Sequence, residues 1–314
     1  MSVLQQAQQL FRRNRQPEAV ALVTQAAERG DVEAIYAVAN WKLFAVYIGR
    51  DLGGAIALLR RAKAAGHADS ALLLATLIAN GTGIDADPRQ ARLLLEQLAP
   101  TVPRAAAQVG MLSEIDETRS FSATILSETP AISWYDNVLS AAECNWIMAH
   151  ASPRLEPSFV NDPVSGGRMP HPVRTSSGTS FGPTQEDVVV NAIIRRIARV
   201  SGTGYECGEP LQILRYNPGE QYRPHMDALP GEANQRSWTA LVYLNDGYGG
   251  GETSFPELGI KVGGKAGAML LFANTDADGR PDHRTVHAGE PVTTGEKWLA
   301  TRWIRTRPYH PWTV

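Results

Sequence analysis

Apolar residues recur at helical spacing through the first hundred positions, and the pattern repeats along the chain. Pro-Glu-Ala-Val-Ala-Leu at 17–22 aligns with Gly-Gly-Ala-Ile-Ala-Leu at 53–58, an offset of 36 residues. The same offset carries Asp51-Leu52 onto Asp87-Pro88, and the Gly-Thr-Gly-Ile-Asp segment at 81–85 breaks the helical pattern before the next helix begins. Each unit is therefore predicted to be a helical hairpin. A hairpin that cannot cover its own apolar face must stack on the next one, so a short solenoid is expected.

The second half changes character from about Thr118, where Thr, Ser, Pro and aromatic residues replace the Ala-rich helical pattern. Ser140 and Glu143 form a capping-box motif at the start of one predicted helix, and a second helix is predicted over residues 185–200. Short strands follow, predicted at 211–216, 239–244, 268–272, 285–287 and 298–304. Many short strands with few helices predict an antiparallel double-sheet jelly roll, a fold whose open end holds a ligand. The Pro-, Gly- and Ser-rich stretch 158–176 is predicted to be a long loop, either a lid or binding loop or a disordered segment.

Charge and composition exclude several classes of protein. Hydrophobic residues make up 43% and charged residues 20% of the 314 positions, as in ordinary globular proteins. With a formal net charge of -2, the chain has no basic field to attract nucleic acid. No apolar stretch is long enough to span a bilayer, and the first residues lack the apolar core of a secretory signal. We therefore expect a cytoplasmic protein without nucleic-acid or membrane partners, whose two cysteines, Cys144 and Cys207, are free thiols.

Three residues near the predicted strands carry side chains suited to a metal site. In an extended segment residues two apart point the same way, so His225 and Asp227 would leave one face of a strand together. His287 lies at the end of another predicted strand. Two histidines and one carboxylate on one face of an octahedral ion leave three open positions, an arrangement typical of non-haem Fe(II) that activates oxygen. A His-x-Asp pair alone is common in proteins, so this pattern by itself is weak.

Lys297 lies ten residues after His287 and adds a cation to the same region of the sequence. A buried ammonium there would pair with the distal carboxylate of a dicarboxylic co-substrate, because an unpaired buried charge is costly. The alternative is an ordinary solvated surface lysine, and the residue alone does not decide between the two.

The sequence around these residues resembles the prolyl 4-hydroxylases in order and spacing over roughly residues 130–307. The matching blocks are 216–227 (Tyr-Asn-Pro-Gly-Glu-Gln-Tyr-Arg-Pro-His-Met-Asp), 243–245 (Tyr-Leu-Asn), 250–256 (Gly-Gly-Glu-Thr-Ser-Phe-Pro), 287–292 (His-Ala-Gly-Glu-Pro-Val) and 297–298 (Lys-Trp). The resemblance implies a double-stranded beta-helix that binds Fe(II) through His225, Asp227 and His287, which are then also the catalytic residues. It implies that 2-oxoglutarate chelates this metal and that Lys297 holds the other carboxylate of the co-substrate.

The same resemblance assigns five further side chains. It implies that Tyr216 and Tyr243 place hydroxyls near the co-substrate. It implies that Trp303 and Arg174, with Tyr222 as a weaker candidate, lie beside the bound peptide substrate. Ordinary core packing or a surface ion pair is the alternative for Tyr216, Tyr243, Trp303 and Arg174.

The implied reaction couples decarboxylation of 2-oxoglutarate to hydroxylation of the substrate by O2, with release of succinate and carbon dioxide. The expected substrate is a peptidyl residue, with proline hydroxylated at C4, and ascorbate is a candidate reductant. Two alternatives stay open: hydroxylation of a free amino acid or another side chain, and a helical-repeat interaction scaffold that has lost catalysis. The intact triad and Lys297 argue against the scaffold. A nucleic-acid demethylase is disfavoured, because Lys297 occupies the anchoring position and the net charge is mildly acidic.

The first part of the chain resembles the Sel-one-like subfamily of tetratricopeptide-type repeats over about residues 17–110. The resemblance rests on the Ala-Ala-Glu-x-Gly and Gly-x-Gly-Ile-x-x-Asp elements, and it implies a protein partner, with bracing or dimerising the catalytic half as the alternative. The predicted fold class is α+β, an α-helical repeat solenoid followed by a double-stranded beta-helix, or jelly roll, with flanking helices. The predicted domains are residues 1–115 for the repeats, 116–129 for a linker and 130–314 for the dioxygenase.

Overall fold

Two compact units make up the chain in the computed structural model, which describes residues 1–161, 168–170 and 173–312. The first unit contains Met1–Ile115 and Pro183–Ala192, and the second contains Asp116–Gly182 and Ile193–Val314. The helical unit therefore includes a short segment from the second half of the sequence. Within that unit the Asn80 amide donates to the Pro183 carbonyl at 2.7 Å. No helix within the described ranges is long and apolar enough to cross a membrane.

Helices of the first unit recur with the period seen in the sequence. They are α1 Val3–Arg12, α2 Gln16–Glu28, α3 Val32–Phe44, α4 Leu52–Ala64, α5 Ala68–Asn80, α6 Pro88–Leu98 and α7 Pro103–Ser113. Helices α2, α4 and α6 begin at residues 16, 52 and 88, which are 36 residues apart. Asp51 and Asp87 cap α4 and α6 in the same way, because each side chain accepts a hydrogen bond from the backbone N–H three residues later. The predicted helical hairpins are confirmed.

One turn of the repeat holds non-glycine residues in a backbone conformation that favours glycine. After α5, Gly81 and Gly83 have φ angles of 79° and 73°. The turn 36 residues earlier follows α3 and places Ala45 and Tyr47 in the same left-handed region, with φ angles of 55° and 66°. The Tyr47 ring stacks on Phe11 with centroids 4.4 Å apart, which offsets part of the conformational cost. The exposed methyl group of Ala45 offers little packing in return.

Replacing Ala45 by glycine is expected to stabilise the protein by about 0.5 to 1 kcal/mol. A left-handed alanine costs roughly 1 to 2 kcal/mol, and the greater freedom of glycine in the unfolded chain cancels about 0.5 to 1 kcal/mol of the gain. Denaturant unfolding followed by circular dichroism measures the change. Gly81→Ala is the matched control, because its new Cβ would meet the Ala86 Cβ at 3.0 Å and should lower stability. An Ala45→Gly protein that unfolds at lower denaturant than wild type would contradict the strain argument.

The second unit is built mainly from antiparallel strands. They are β1 Ala123–Glu128, β2 Ala131–Tyr135, β3 Glu156–Pro157, β4 Phe159–Asn161, β5 Arg168–Pro170, β6 Ser177–Phe181, β7 Leu211–Tyr216, β8 Tyr222–His225, β9 Arg236–Tyr243, β10 Gly249–Gly250, β11 Thr253–Phe255, β12 Ile260–Val262, β13 Met269–Ala273, β14 His287–Gly289, β15 Val292–Thr294 and β16 Lys297–Arg305. Within the described residues, an eight-stranded sheet has the order β1-β2-β13-β9-β16-β7-β6-β3, and a four-stranded sheet has the order β12-β11-β14-β8. Helices α8 Ala141–Ala151 and α9 Val188–Ser201 belong to the same half of the sequence. The arrangement is the expected jelly roll preceded by helical repeats.

Most predicted elements of this half are confirmed, with shifts of at most three residues at their ends. Helix α8 begins after Ser140 with both hydrogen bonds of the capping box formed. One strand prediction was wrong at its start, because Thr285 lies in a short 3-10 turn. The Asp282 side chain accepts a hydrogen bond from the Arg284 N–H and closes that turn, so the strand begins only at His287. Cys144 and Cys207 are free thiols, as predicted.

Two stretches that were expected to lack regular structure contain strands. Residues 116–129, predicted to be a linker, include β1, which pairs with β2 at the edge of the eight-stranded sheet. The predicted loop 158–176 includes a hairpin of β4 and β5, while residues 162–167 and 171–172 lie outside the described part of the chain. Strands β4 and β5 have three residues each, which is too few to show the apolar alternation by which longer strands are predicted.

Large apolar side chains from both sheets form one core cluster in this unit. The eight-stranded sheet contributes Ile132, Leu214, Tyr216, Leu241, Tyr243, Leu270, Phe272 and Leu299, and the four-stranded sheet contributes Phe255. Complete burial of such a side chain stabilises a fold by about 1.5 to 3 kcal/mol. The core therefore holds in place the strands that carry the predicted site residues.

Candidate active site

His225 and His287 face each other across a pair of strands. His225 is the last residue of β8, His287 is the first of β14, and the two are direct partners in the antiparallel register. Asp227 lies two residues beyond β8, and its carboxylate oxygens are 3.6 Å from His225 Nε2 and 3.7 Å from His287 Nε2. The donor atoms of the three residues all lie within 4.8 Å of one another. This spacing is close enough for one ion to contact all three.

Both histidines are held with the same nitrogen protonated. His225 Nδ1 lies 2.9 Å from the Arg223 carbonyl, and His287 Nδ1 lies 3.0 Å from the Thr285 carbonyl. Because a carbonyl only accepts hydrogen bonds, each Nδ1 carries the proton and each Nε2 keeps a free lone pair. Burial and the neighbouring His287 lower the pKa of His225 to about 4, although Asp227 acts in the opposite direction. His225 is therefore a neutral nitrogen ligand near pH 7.

The Asp227 carboxylate keeps its negative charge although it is only 4% exposed. Burial by itself would raise the pKa of this carboxyl, but the electrostatic influence of the neighbouring His287 and His225 and a hydrogen bond from Thr239 hold that pKa below its usual value. Thr239 Oγ1 donates to Asp227 Oδ2 at 2.7 Å. The three candidate ligands thus present two imidazole nitrogens and one carboxylate oxygen.

Lys297 belongs to the other sheet and lines the same cavity as the three candidate ligands. It opens β16, pairs in register with Tyr216 at the end of β7, and is 2% exposed. Its ammonium donates to the Gly251 carbonyl at 2.7 Å, and no carboxylate of the described residues lies within 4.0 Å of it. Burial lowers the pKa of Lys297 to about 8, because the nearby Glu252 restores only part of the loss. A buried cation of this kind is a favourable place for a ligand carboxylate.

One cavity brings together eight of the nine residues predicted for the site, and it encloses about 400 Å³ including its open mouth. These eight are His225, Asp227, His287, Lys297, Tyr216, Arg174, Tyr222 and Trp303. The Tyr222 ring stacks on the His225 ring with centroids 3.4 Å apart. The Arg174 guanidinium lies 5.4 Å from the centroid of the Tyr222 ring and donates to Gln212 Oε1 at 3.1 Å. The buried Trp303 N–H makes no well-formed hydrogen bond within the described chain. It nevertheless lies close enough to the Asp227 carboxylate to help lower the pKa of that group.

Tyr243, the ninth predicted residue, lies behind the cavity wall. It is fully buried, and its hydroxyl donates to Thr253 Oγ1 at 2.8 Å. Thr253 itself lines the cavity. The Tyr243 ring borders Lys297, with the ammonium 5.6 Å from the ring centroid. Tyr243 therefore supports Thr253 and borders Lys297, and its hydroxyl is already engaged.

Several wall residues were missed by the sequence analysis although the strand pattern contained them. Leu299 and Thr301 lie between Lys297 and Trp303 on β16, and all four line the cavity. Since alternate residues of a strand share one face, the positions of Lys297 and Trp303 were enough to predict the other two. Gln212 follows in the same way from Tyr216 on β7. In contrast, nothing in the local sequence around Thr239 indicates that it donates a hydrogen bond to the candidate metal ligand Asp227.

The side chains present fit a divalent metal ion and a dicarboxylic co-substrate. Two histidine imidazoles and one carboxylate are the donor set of non-haem Fe(II) oxygenases, and the buried Lys297 ammonium is suited to bind a carboxylate. A jelly roll with this triad and cation defines the class of 2-oxoglutarate- and Fe(II)-dependent oxygenases. The family model described as the 2OG-Fe(II) oxygenase superfamily matches residues 211–305.

Comparison with known proteins identifies a family within this class of oxygenases. Prolyl 4-hydroxylase 1 of Arabidopsis thaliana is 38% identical over 202 residues, which are 58% of this chain and 71% of that protein. Among solved structures, the 2OG complex of the viral collagen prolyl hydroxylase from Paramecium Bursaria Chlorella virus-1 is 29% identical, covers 56% of this chain and 96% of its own, and gives a TM-score of 0.46. A Sel1 repeat protein from Oxalobacter formigenes is 18% identical, covers 34% of this chain and 85% of its own, and gives a TM-score of 0.32. The chain belongs to the prolyl 4-hydroxylase family.

Proposed function

We propose that this protein uses Fe(II), 2-oxoglutarate and O2 to hydroxylate a peptidyl proline at C4. One observation carries the proposal: the buried Lys297, without a carboxylate partner among the described residues, lines the same cavity as His225, Asp227 and His287. A site for a divalent ion and a site for a dicarboxylate therefore share one enclosed space. The names of the curated relatives support proline as the residue that is modified.

The proposed roles follow from the positions of the side chains. Bound Fe(II) would supply the activation of O2 that is coupled to the conversion of 2-oxoglutarate into succinate and carbon dioxide. His225, Asp227 and His287 would hold the ion from one side, and the Lys297 ammonium would pair with the remote carboxylate of the co-substrate. Burial raises the pKa of Tyr216, so its hydroxyl remains a neutral donor beside the same space.

Part of the cavity lining is suited to a peptide. Tyr222 and Trp303 offer aromatic surface of the kind on which the apolar ring of proline packs, and Arg174 offers donors for peptide carbonyls. The buried Leu214 adds apolar surface to the lining of the same cavity. We therefore propose Arg174, Trp303 and Tyr222 as substrate-binding residues.

Mass spectrometry of peptides tests this proposal directly. The full chain is incubated with Fe(II), 2-oxoglutarate and a proline-containing peptide, or with the same peptide in which alanine replaces every proline. We expect one added oxygen atom on proline residues, with a matching release of succinate, and no addition to the alanine peptide. Ascorbate is our proposed reductant, tested by the number of turnovers reached with and without it.

The two alternatives give different results in the same assay. Oxygen addition only to free amino acids, or only to residues other than proline, would refute the peptidyl-proline assignment and leave the dioxygenase. Absence of succinate release from protein that binds both Fe(II) and 2-oxoglutarate would leave only the interaction scaffold.

We also propose that the helical unit binds an acidic, leucine-containing segment of a protein partner. A groove of about 870 Å³, including its open side, lies between α4, α5 and α6, with buried Leu74 and Ile78 on its floor. Arg60 and Lys63 are exposed on one wall, and no carboxylate of the described residues forms an ion pair with either. Leu93 is 58% exposed beside them, so the groove combines apolar surface with positive charge.

Fluorescence anisotropy with a labelled peptide of Glu and Leu tests this surface. Reversal of both charges, Arg60→Glu with Lys63→Glu, is expected to weaken binding about tenfold or more, since two favourable pairs become repulsive. The matched control reverses two exposed arginines of the same unit outside the groove, Arg13→Glu with Arg29→Glu. Equal binding of a Lys and Leu peptide of the same pattern, or no binding of either peptide, would overturn the proposal.

A further inference from the structure

A chain of buried hydrogen bonds stands behind the Asp227 carboxylate. Thr239 Oγ1 donates to Asp227 Oδ2 at 2.7 Å, and Asn274 Nδ2 donates to Thr239 Oγ1 at 2.8 Å. Thr239 is fully buried and Asn274 is 1% exposed. Water therefore does not compete for these bonds.

The chemistry of the groups fixes the direction of every proton in this chain. A carboxylate only accepts, so the single hydroxyl proton of Thr239 points to Asp227. The Thr239 oxygen is then left as an acceptor, and only the NH2 end of the Asn274 amide satisfies it. The other end of the amide, Asn274 Oδ1, is buried without a hydrogen-bond partner in the described part of the chain. A buried oxygen without a hydrogen bond is unfavourable. The fold nevertheless keeps the NH2 group of the Asn274 amide turned toward Thr239.

Backbone hydrogen bonds hold both members of the chain in place. Thr239 lies in the middle of β9, paired in register with Phe272 of β13 and with Trp303 of β16. Asn274 follows β13 directly, and its backbone N–H donates to the Ser237 carbonyl at 2.8 Å. The Thr239 hydroxyl therefore sits on a rigid strand and not on a loop.

The segment that begins at Asn274 also reaches the third candidate ligand. The Asn274 carbonyl accepts from the Asp282 N–H at 3.0 Å, and the Asp282 carbonyl accepts from the Thr285 hydroxyl at 2.7 Å. The Thr285 carbonyl in turn lies 3.0 Å from His287 Nδ1. One segment, residues 274–285, thus supports Asp227 through a side chain and His287 through a backbone carbonyl.

We propose that Thr239 and Asn274 are positioning residues for the metal site, with Asn274 acting through Thr239. Their hydrogen bonds fix the orientation of the Asp227 carboxylate, whose Oδ1 lies 3.6 Å from His225 Nε2 and whose Oδ2 lies 3.7 Å from His287 Nε2. The proposal rests on the proposed function only in its assumption that the triad binds a divalent metal. Groups that orient metal ligands in this way typically change metal affinity by about 10- to 100-fold when they are removed.

Calorimetric titration of the full chain with Co(II), without 2-oxoglutarate, tests the proposal. Thr239→Val keeps the shape of the side chain and removes the donor, and it is expected to weaken Co(II) binding about 10- to 100-fold and to alter the visible absorption of the bound ion. Thr239→Ser keeps the hydroxyl and should retain affinity within about threefold, which shows that the bond and not the fold carries the effect. Circular dichroism establishes that each variant is folded.

A double-variant cycle separates positioning from a general structural role. Because Asn274 acts through Thr239, Asn274→Ala should weaken Co(II) binding in the wild-type background and have little further effect in the Thr239→Val background. Equal effects of Asn274→Ala in the two backgrounds, or wild-type Co(II) affinity in Thr239→Val, would overturn the proposal. Failure of the proposed function looks different, since Co(II) would still bind in a Thr239-dependent manner while no succinate or oxidised peptide forms.

Discussion

Replacement of His287 by alanine is expected to reduce succinate formation from 2-oxoglutarate by more than about 100-fold. Loss of groups that only orient metal ligands already costs about 10- to 100-fold, so loss of one of three ligands should exceed that range. His287 is the single candidate ligand on β14, and no other described histidine, cysteine or acid joins the group within ligand distance. Measurement of succinate released per enzyme, with Fe(II) and 2-oxoglutarate in excess, gives the result.

His283→Ala is the matched control, because His283 lies four residues earlier in an exposed turn. It should leave turnover within about twofold of wild type. His287 also packs on Phe272, with ring centroids 4.8 Å apart, so thermal unfolding is recorded to show that the alanine variant is folded. A folded His287→Ala protein that keeps more than a tenth of wild-type turnover would remove His287 from the metal site.

The three candidate metal ligands could be predicted from the sequence in part because two of them are close neighbours along the chain. His225 and Asp227 are two residues apart beside a strand, and that spacing alone predicts side chains on one face. The partner His287 lies 62 residues later, and only the family resemblance connected it to the pair. The register between β8 and β14, which sets the two histidines directly opposite each other, depends on pairing that no local pattern specifies.

The helical repeat could also be predicted from the sequence, whereas the left-handed backbone at Ala45 is known only from the structure. The offset of 36 residues predicts the starts of α2, α4 and α6, and the same offset places Ala45 where the next unit has Gly81. The sequence does not reveal which side chains form a hydrogen bond when they lie far apart along the chain. Thr239 and Asn274 are 35 residues apart, and their contact arises because β9 and β13 pair side by side.

The edges of the second unit were predicted less well. Strand β1 lies at the end of the eight-stranded sheet, where its residues are mostly exposed and show little apolar alternation. The sequence signal for a strand is the burial of one face, and an edge strand with both faces largely exposed lacks that signal. The region predicted to be a linker therefore contains a strand that only the sheet itself explains.

Replacement of Lys297 by methionine is expected to weaken 2-oxoglutarate binding by about 30-fold or more. Truncation of one partner of a buried charge pair costs about 2 to 5 kcal/mol, and 1.4 kcal/mol corresponds to a factor of ten. Titration of 2-oxoglutarate into protein loaded with Co(II) measures the affinity. Lys261→Met is the matched control, since Lys261 is 68% exposed and lies outside the cavity, and it should bind 2-oxoglutarate as wild type does.

The Lys297→Met substitution is expected to change folding stability and 2-oxoglutarate affinity in opposite directions. An ammonium buried without a carboxylate destabilises the ligand-free fold, and methionine of similar length removes that charge. We expect Lys297→Met to unfold in denaturant at or above the wild-type midpoint. A variant that lost both stability and affinity would mark Lys297 as a packing residue and not as an anchor for the co-substrate.

The pH dependence of binding gives a second test of the same lysine. Burial lowers the pKa of Lys297 from 10.5 to about 8, so the free site holds its proton below that pH and loses it above. A carboxylate requires the ammonium form, so binding above about pH 8 must take up a proton, and affinity should fall by up to about tenfold per pH unit. Between about pH 8 and 10.5 the unfolded chain binds more protons than the fold, so stability from this group rises with pH while affinity falls. Lys297→Met should show neither trend, and a wild-type affinity that stayed constant from about pH 7 to about 9.5 would exclude the ammonium as the anchor.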